Sequence, residues 1–358
     1  MTYDPFARGP FPVGVRTASL TDPARQRLLP TEIWYPATDA YTGRDVAPST
    51  RDTYELLPGF PPVWQEAVRD AAARPGSYPL IAFSHGFGGH RRQSTFLCTH
   101  LASHGYVVAA PDHTGNTIFD VIQMVMALQS GAAMPDPTTI VKEFIAARPA
   151  DIRFLIDRTL NGTAGDLASI VDPDRIGMTG HSFGGWTTLA VTACEPRIGA
   201  ALPLAPAGGS SPLPAELLQR SLNFEWGRDV PTLFLVAERD SLLPLAGMRE
   251  LFTKIRGTKQ MVVLKNADHM HFCDRAEEVH ELFRMMPPPG DFERIAKAVP
   301  PITDLCPGKH AYEFVRGLGL AHMDAYLKAD ESAARFLAGD IAAALAARGI
   351  SVQVVGAP

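Results

Sequence analysis

Apolar strands alternating with helical stretches predict an α/β fold, a mainly parallel central sheet with helices on both faces. Three observations carry the prediction. Tyr78-Pro79-Leu80-Ile81-Ala82-Phe83-Ser84 and Tyr106-Val107-Val108-Ala109-Ala110 are continuous apolar runs, as strands buried on both faces require. A helical pattern from Ser94 to His104 separates them. Gly180-His181-Ser182-Phe183-Gly184-Gly185 follows the short strand Arg175–Thr179 and opens a helix at Trp186–Thr192. Strand, G-x-S-x-G, helix is the setting in which that motif makes a sharp turn with an exposed serine hydroxyl.

Taken in order, Val13-Gly14-Val15 and Thr31-Glu32-Ile33-Trp34-Tyr35-Pro36 read as an opening pair of strands. Residues 37–77 are rich in Pro, Gly, Asp and Arg and read as a surface insertion, with one helical patch over Trp64–Val68. The two buried strands follow, then a helix over about 141–160, then the serine turn. Further strands are expected at Gly199–Leu204, Pro231–Val236 and Gln260–Leu264. Helices over about 310–328 and 331–348 and an edge strand over Ile350–Val355 close the chain. The segments 115–140, 206–229 and 274–308 are further insertions. The last holds Met285-Met286-Pro287-Pro288-Pro289-Gly290, which cannot be regular throughout. The expectation is one domain over 1–358 carrying four insertions.

Of the 358 residues, 46% are apolar and 20% charged, ample for a large core. The net charge of −5 and the lack of basic runs argue against nucleic acid as a partner. No apolar stretch approaches the ~20 residues needed to cross a bilayer. No secretory signal is evident at the N-terminus, so a cytoplasmic location is expected, or secretion if a leader was trimmed. Cys98, Cys194, Cys273 and Cys306 have no C-x-x-C spacing and are expected to be free thiols; Cys273 with Cys306 is the one pairing considered.

A serine hydroxyl is a weak nucleophile and needs a base, an orienter for the base, and donors for the oxyanion. In a parallel sheet these groups belong at the carboxyl ends of strands. Ser182 is the nucleophile, with Gly180 and Gly184 permitting the turn. Asp240, just past the strand ending at Val236, is the acid; its alternative role is to cap the helix after Pro244, and Glu238 is the reserve. His269, past the strand ending at Leu264, is preferred over His271 as the base. His85, His104 and His113 also sit at element ends. Asp268, His269, His271 and Asp274 could together ligate a cation, but no open catalytic ligand set is evident and the serine chemistry needs no metal or cofactor. The loop His85-Gly86-Phe87-Gly88-Gly89 follows an early strand, and its glycines let an amide approach a substrate oxygen. The amides of Phe87 and Phe183 are the expected oxyanion donors. The glycine spacing is not that of a dinucleotide-binding loop.

Ser84-His85-Gly86-Phe87-Gly88-Gly89, Leu101-Ala102-Ser103-His104-Gly105-Tyr106-Val107-Val108-Ala109-Ala110-Pro111-Asp112-His113 and Gly180–Gly185, in that order, resemble α/β-hydrolases of one group. It comprises the platelet-activating-factor acetylhydrolases and the bacterial proteins called predicted dienelactone hydrolases. The resemblance spans about residues 78–270. It implies cofactor-free serine hydrolysis of short-chain carboxylic esters, with Ser182 as nucleophile, His269 as base and Phe87 and Phe183 as oxyanion amides. Two departures stand out. The acetylhydrolases carry their acid after the strand that follows the serine helix, where this chain reads Leu204-Ala205-Pro206-Ala207. Asp240 would instead match the position familiar from cutinases and polyester hydrolases. Dienelactone hydrolases proper use cysteine where this chain has Ser182.

The expected substrate is a small-molecule ester, short-acyl or small aromatic. Lipase-, phospholipase- or polyester hydrolase-like activity, amide or thioester hydrolysis, and a non-catalytic ligand-binding role are the alternatives. The apolar residues of 115–140 and of 274–308 are expected either to lid the pocket or to pack the insertions onto the body, with methionines giving an adaptable wall.

Overall fold

The structure is a computed structural model; it describes residues 3–356 except 57–58, 132, 134–135, 163–164, 214–215 and 288–289. Pro288 and Pro289, in the stretch expected to be irregular, thus lie outside the described residues, as do parts of the other three insertions.

The strands are β1 (Val13–Asp22), β2 (Arg27–Pro36), β3 (Thr53–Tyr54), β4 (Val63–Trp64), β5 (Val68–Arg69), β6 (Tyr78–Ser84), β7 (Val107–Pro111), β8 (Val171–His181), β9 (Ile198–Leu204), β10 (Thr232–Ala237), β11 (Lys259–Leu264) and β12 (Val352–Val355). The helices are α1 (Thr95–Ser103), α2 (Ile118–Gln129), α3 (Pro137–Leu160), α4 (Phe183–Cys194), α5 (Glu216–Ser221), α6 (Leu245–Lys254), α7 (Ala276–Met285), α8 (Asp291–Ala296), α9 (Gly308–Leu327), α10 (Glu331–Ala338) and α11 (Ile341–Ala346). All strands but β3 and β4 form one sheet in the order β12-β11-β10-β9-β8-β6-β7-β2-β1-β5. From β7 across to β11 neighbouring strands are parallel. Antiparallel β2 flanks one side and antiparallel β12 the other.

The apolar strands feed two cores because successive side chains leave opposite faces of a sheet. Ile81, Phe83, Val108, Ala110 and Leu202 join the core beneath α1 and α9. Leu80, Ala82, Val107, Ala109 and Met178 join the one beneath α3. This two-sided burial is why β6 and β7 read as unbroken apolar runs.

Two local expectations are corrected. Trp64–Val68 is not helical: β4 pairs with β3, and β5 joins the sheet edge beside β1. Gln65 is buried between them, its side chain accepting from Trp34 Nε1 at 2.7 Å and donating to Asp52 Oδ2 at 2.7 Å. That tertiary network overrides a weak helical preference. The helix expected over 331–348 is two helices, because Gly339 breaks it and Asp340 caps the restart through the Ala343 amide.

Register puts the strand ends in line. Ser84 pairs with Gly180, Gly180 with Pro203, His181 with Leu204, and Ala237 with Leu264. The loops after β6, β8, β9, β10 and β11 therefore emerge side by side on one edge of the sheet.

Candidate active site

Ser182 stands between β8 and α4 with φ +60° and ψ −116°, a region non-glycine residues rarely occupy and one that costs roughly 1–3 kcal/mol. Hydrogen bonds on both sides hold it there. Its amide donates to Leu204 O at 2.9 Å, and its carbonyl accepts from Trp186 and Ala207 at 3.1 and 3.0 Å. The flanking glycines are there for close approach. A Cβ on Gly184 would lie 1.8 Å from the carbonyl oxygen of Ser84, and one on Gly180 would lie 2.5 Å from that same oxygen.

Past β10, Asp240 uses its two carboxylate oxygens separately. Oδ1 accepts from the amides of Leu242 and Leu243 at 3.0 and 2.7 Å, while Oδ2 accepts from His269 Nδ1 at 2.7 Å. The capping role and the pairing with histidine are therefore both present, though the capped turn precedes α6 rather than being α6 itself. The pair is buried. Burial lowers the His269 pKa, but the charge and hydrogen bond of Asp240, with the charge of Asp268, outweigh it and hold the imidazole above its ordinary value. Burial likewise raises the Asp240 carboxyl, against the pull of His269. His269 packs on the ring of His181, the residue before Ser182, with centroids 4.5 Å apart. The Ser182 hydroxyl, partly exposed, makes no hydrogen bond to His269 among the described residues.

The alternatives are otherwise engaged. Glu238 takes Lys265 Nζ at 2.7 Å and the Asn266 amide at 3.0 Å. His271 Nε2 donates to Cys306 O at 2.9 Å. Asp274 accepts from the amides of Thr95 and Phe96 at the start of α1, and Asp268 from the amide and hydroxyl of Ser241. Among the described residues no group of three or more His, Cys, Asp or Glu is arranged to hold a metal. All four cysteines are free thiols, Cys273 and Cys306 included.

The loop after β6 lies against the serine turn, since a Cβ on Gly86 would stand 3.4 Å from Ser182 Cβ. Gly88 adopts φ +61°, which its lack of a side chain allows. Among the described residues the amides of Phe87 and Phe183 donate to no protein acceptor. The Gly86 amide, by contrast, is taken by Gln93 Oε1 at 2.9 Å, and Gln93 Nε2 donates to His181 Nδ1 at 2.9 Å. Phe87 is 41% exposed and stacks on Phe292 of α8 at 6.1 Å, with Phe144 of α3 at 6.2 Å. Phe144 also faces Phe183. An aromatic rim thus surrounds the turn. Met285 and Met286 are 67% and 73% exposed, so they project into solvent rather than forming a wall.

Sequence reasoning missed three partners. Gln93 is one. Arg148 of α3, fully buried, donates to the carbonyls of His85 and Gly86 at 2.6 and 3.0 Å. Asn116 accepts from Arg148 Nε at 3.1 Å and also from Nη2. Beneath them runs a second serine, histidine, aspartate series. Ser84 Oγ donates to His113 Nε2 at 2.9 Å, and His113 Nδ1 donates to Asp151 Oδ2 at 3.0 Å. All three are buried, so this series braces the loop from below with no path for substrate.

The sequence profile of the family "Platelet-activating factor acetylhydrolase, isoform II" matches residues 23–140, a segment that holds the Gly86–Gly89 loop and ends before Ser182. The chain is 29% identical to "Cutinase est1" of Thermobifida alba over 198 residues, 54% of each protein. It is 24% identical to the platelet-activating factor acetylhydrolase of Gallus gallus over 250 residues, 58% of this chain and 56% of that one. It spans about half the length of the curated relatives it matches. Among solved structures, a ferulic acid esterase from Streptomyces cinnamoneus superposes with a TM-score of 0.61 and 26% identity, covering 90% of this chain and 93% of that one. With the sheet order and the serine turn described above, these likenesses show an α/β-hydrolase fold similar to that of platelet-activating-factor acetylhydrolases, cutinases and a ferulic acid esterase.

Proposed function

We propose that the chain hydrolyses carboxylic esters through an acyl-enzyme intermediate, with Ser182 as nucleophile, His269 as base and Asp240 as orienting acid. The observation that carries this reading is the buried 2.7 Å pair of His269 Nδ1 with Asp240 Oδ2 beside a serine held at φ +60°. Nδ1–H bound to the carboxylate leaves the lone pair of Nε2 to accept a proton. The hydroxyl of Ser182 attacks the ester carbonyl as its proton passes to His269. The tetrahedral oxygen is held by the amides of Phe87 and Phe183, and the imidazolium gives its proton to the departing alcohol. Water, deprotonated by His269, then attacks the acyl-serine, and the proton returns to Ser182 as the carboxylic acid leaves. The serine–histidine hydrogen bond, open in the free protein, closes as substrate binds.

A short-acyl or small aromatic ester fits best. The rim of Phe87, Phe144 and Phe292 offers faces for an aromatic group, and the structural neighbour is named for an aromatic ester. A second reading, action on lipid or polyester, is favoured by the exposure of Phe119, Ile122 and Met126 on α2. Rates along a p-nitrophenyl ester series separate the two: a peak at acetate or butyrate supports the small pocket, a rise to long chains supports the open groove. Ser182→Ala tests the reaction itself. Turnover of p-nitrophenyl acetate should fall by at least about 10³-fold. Full activity in this variant would sink the assignment.

A further inference from the structure

Arg148 is a buried cation without a carboxylate partner among the described residues. It precedes Pro149 in α3 and is fully enclosed. The acid nearest along the helix, Asp151, is already occupied. Its Oδ1 accepts from Arg25 Nη1 at 2.6 Å and Arg27 Nε at 3.0 Å, and its Oδ2 from Arg27 Nη2 and His113 Nδ1, both at 3.0 Å. The guanidinium of Arg148 instead spends its donors on neutral oxygens: Asn116 Oδ1, His85 O, Gly86 O and, at 3.4 Å, Ser84 Oγ. Burying a charge that no ion pair neutralises is costly, and burial, opposed in part by the charge of Asp151, pulls this guanidinium down to about 9, still protonated at neutral pH. An apolar side chain there would relieve the buried charge but leave the buried carbonyl of His85 without this donor and that of Gly86 with one fewer.

What the cation touches gives it a use beyond stability. Gly86 C=O and Phe87 N–H belong to one planar peptide unit. The oxygen of that unit accepts three donors: Arg148 Nη2 at 3.0 Å, His85 Nδ1 at 2.7 Å and the Gly89 amide at 3.3 Å. Donors at the oxygen fix the plane of the peptide and draw electron density from its nitrogen, so the N–H on the far side becomes a stronger donor. The same guanidinium lies 4.4 Å from the centre of the Phe183 ring, so one side chain bears on both residues whose amides are free.

We propose that Arg148 is a positioning residue of the oxyanion hole, fixing and polarising the Gly86–Phe87 peptide and supplying behind it a positive charge that is in direct contact with no carboxylate. The proposal rests on the reading of Ser182, Phe87 and Phe183 given above. The charge acts on an anion that exists only in the transition state, so its loss appears in kcat and not in KM.

The test compares kcat and KM for p-nitrophenyl acetate in the parent, Arg148→Met, Asn116→Asp and Ser182→Ala, with thermal unfolding followed by circular dichroism. Arg148→Met should lower kcat about 10- to 100-fold with KM within about twofold, less than the ~10²–10³ lost when a donor is removed outright. Asn116→Asp keeps the shape and the acceptor but gives the cation a carboxylate. Its kcat should fall about tenfold while its Tm is no lower than the parent's. Parental kcat in Asn116→Asp would overturn the proposal, as would a loss in Arg148→Met carried by KM. If Arg148→Met does not fold, Asn116→Asp alone decides. Retained turnover in Ser182→Ala is a separate failure, of the reaction assigned to the site rather than of the role of Arg148.

Discussion

Asp240 shows how one residue serves two structures. Oδ1 closes the turn after β10 through the amides of Leu242 and Leu243, and that fixes the carboxylate so that Oδ2 meets His269. Asp240→Asn keeps the shape but offers a donor where the imidazole needs an acceptor, turning the histidine to its wrong tautomer. We expect kcat to fall about 10³–10⁴-fold. The pH profile carries the sign. His269 is held above the ordinary imidazole value of about 6.5 because Asp240 outweighs burial, and the proposed mechanism requires the neutral ring, so activity should be lost as pH falls through that raised value. In Asp240→Asn burial acts with less opposition, and the acid limb of kcat/KM should move to lower pH. The strand-end places of Ser182, Asp240 and His269, and the pairing of the last two, were legible because each sits a few residues past an apolar strand, and chain order restricts the choice. Gln93, Asn116 and Arg148 were not. A glutamine in a loop and an arginine on a helix have no local signature of burial, and their meaning arises only when three distant segments meet.

At the scale of elements, α3 and the β1–β2 turn are joined by charge. Asp151, with its side chain fully enclosed, gathers Arg25, Arg27 and His113. Burial opposes its ionisation, but His113 and Arg27 outweigh that and hold the carboxyl down to about 2. Asp151→Asn takes from Arg27 the carboxylate it binds and leaves Arg25 with Asp22, and should cost about 3 kcal/mol at neutral pH, read as a lower urea midpoint. Because the native pKa is depressed, this stabilisation is complete above the unfolded value of about 4. It is lost as pH falls from there towards 2, so parent and variant should converge in acid. The strands β6, β7, β9, β10, β11 and β12 were legible in the sequence within a residue or two, whereas β1, β2 and β8 run four to seven residues beyond their apolar stretches, into polar sequence. The hidden parts were polar: β5 is two residues long, and its place beside β1 is fixed by Arg69 binding Glu32 and Asp52 rather than by any strand pattern.

For the whole molecule, the site gathers at one edge of the sheet while much of the load is carried elsewhere. Leu327, at the far end of α9, packs where Gly177 of β8 and Gly199 of β9 leave room; a Cβ on either glycine would come within 2.9 and 3.2 Å of its methyls. Gly177 lies five residues before Ser182, roughly 16 Å along the strand. Leu327→Ala should therefore cost about 2–5 kcal/mol of stability through the cavity left behind, with kcat per folded molecule unchanged. Denaturant titration beside steady-state kinetics reads both.

The carbonyl of Ser84 leaves no space for a methyl group at either Gly180 or Gly184. The end of β6 and the start of α4 are thus interlocked backbone to backbone, and the two free amides move as one body with the serine. Laboratory evolution of new selectivity cannot proceed by shifting the serine turn against the glycine loop, since any such shift jams the lock. The adaptable positions are the side chains of Phe87, Phe144 and Phe292, which form the rim and lie outside the interlocked backbone. A library confined to those three should change which esters are taken while leaving the chemical step intact.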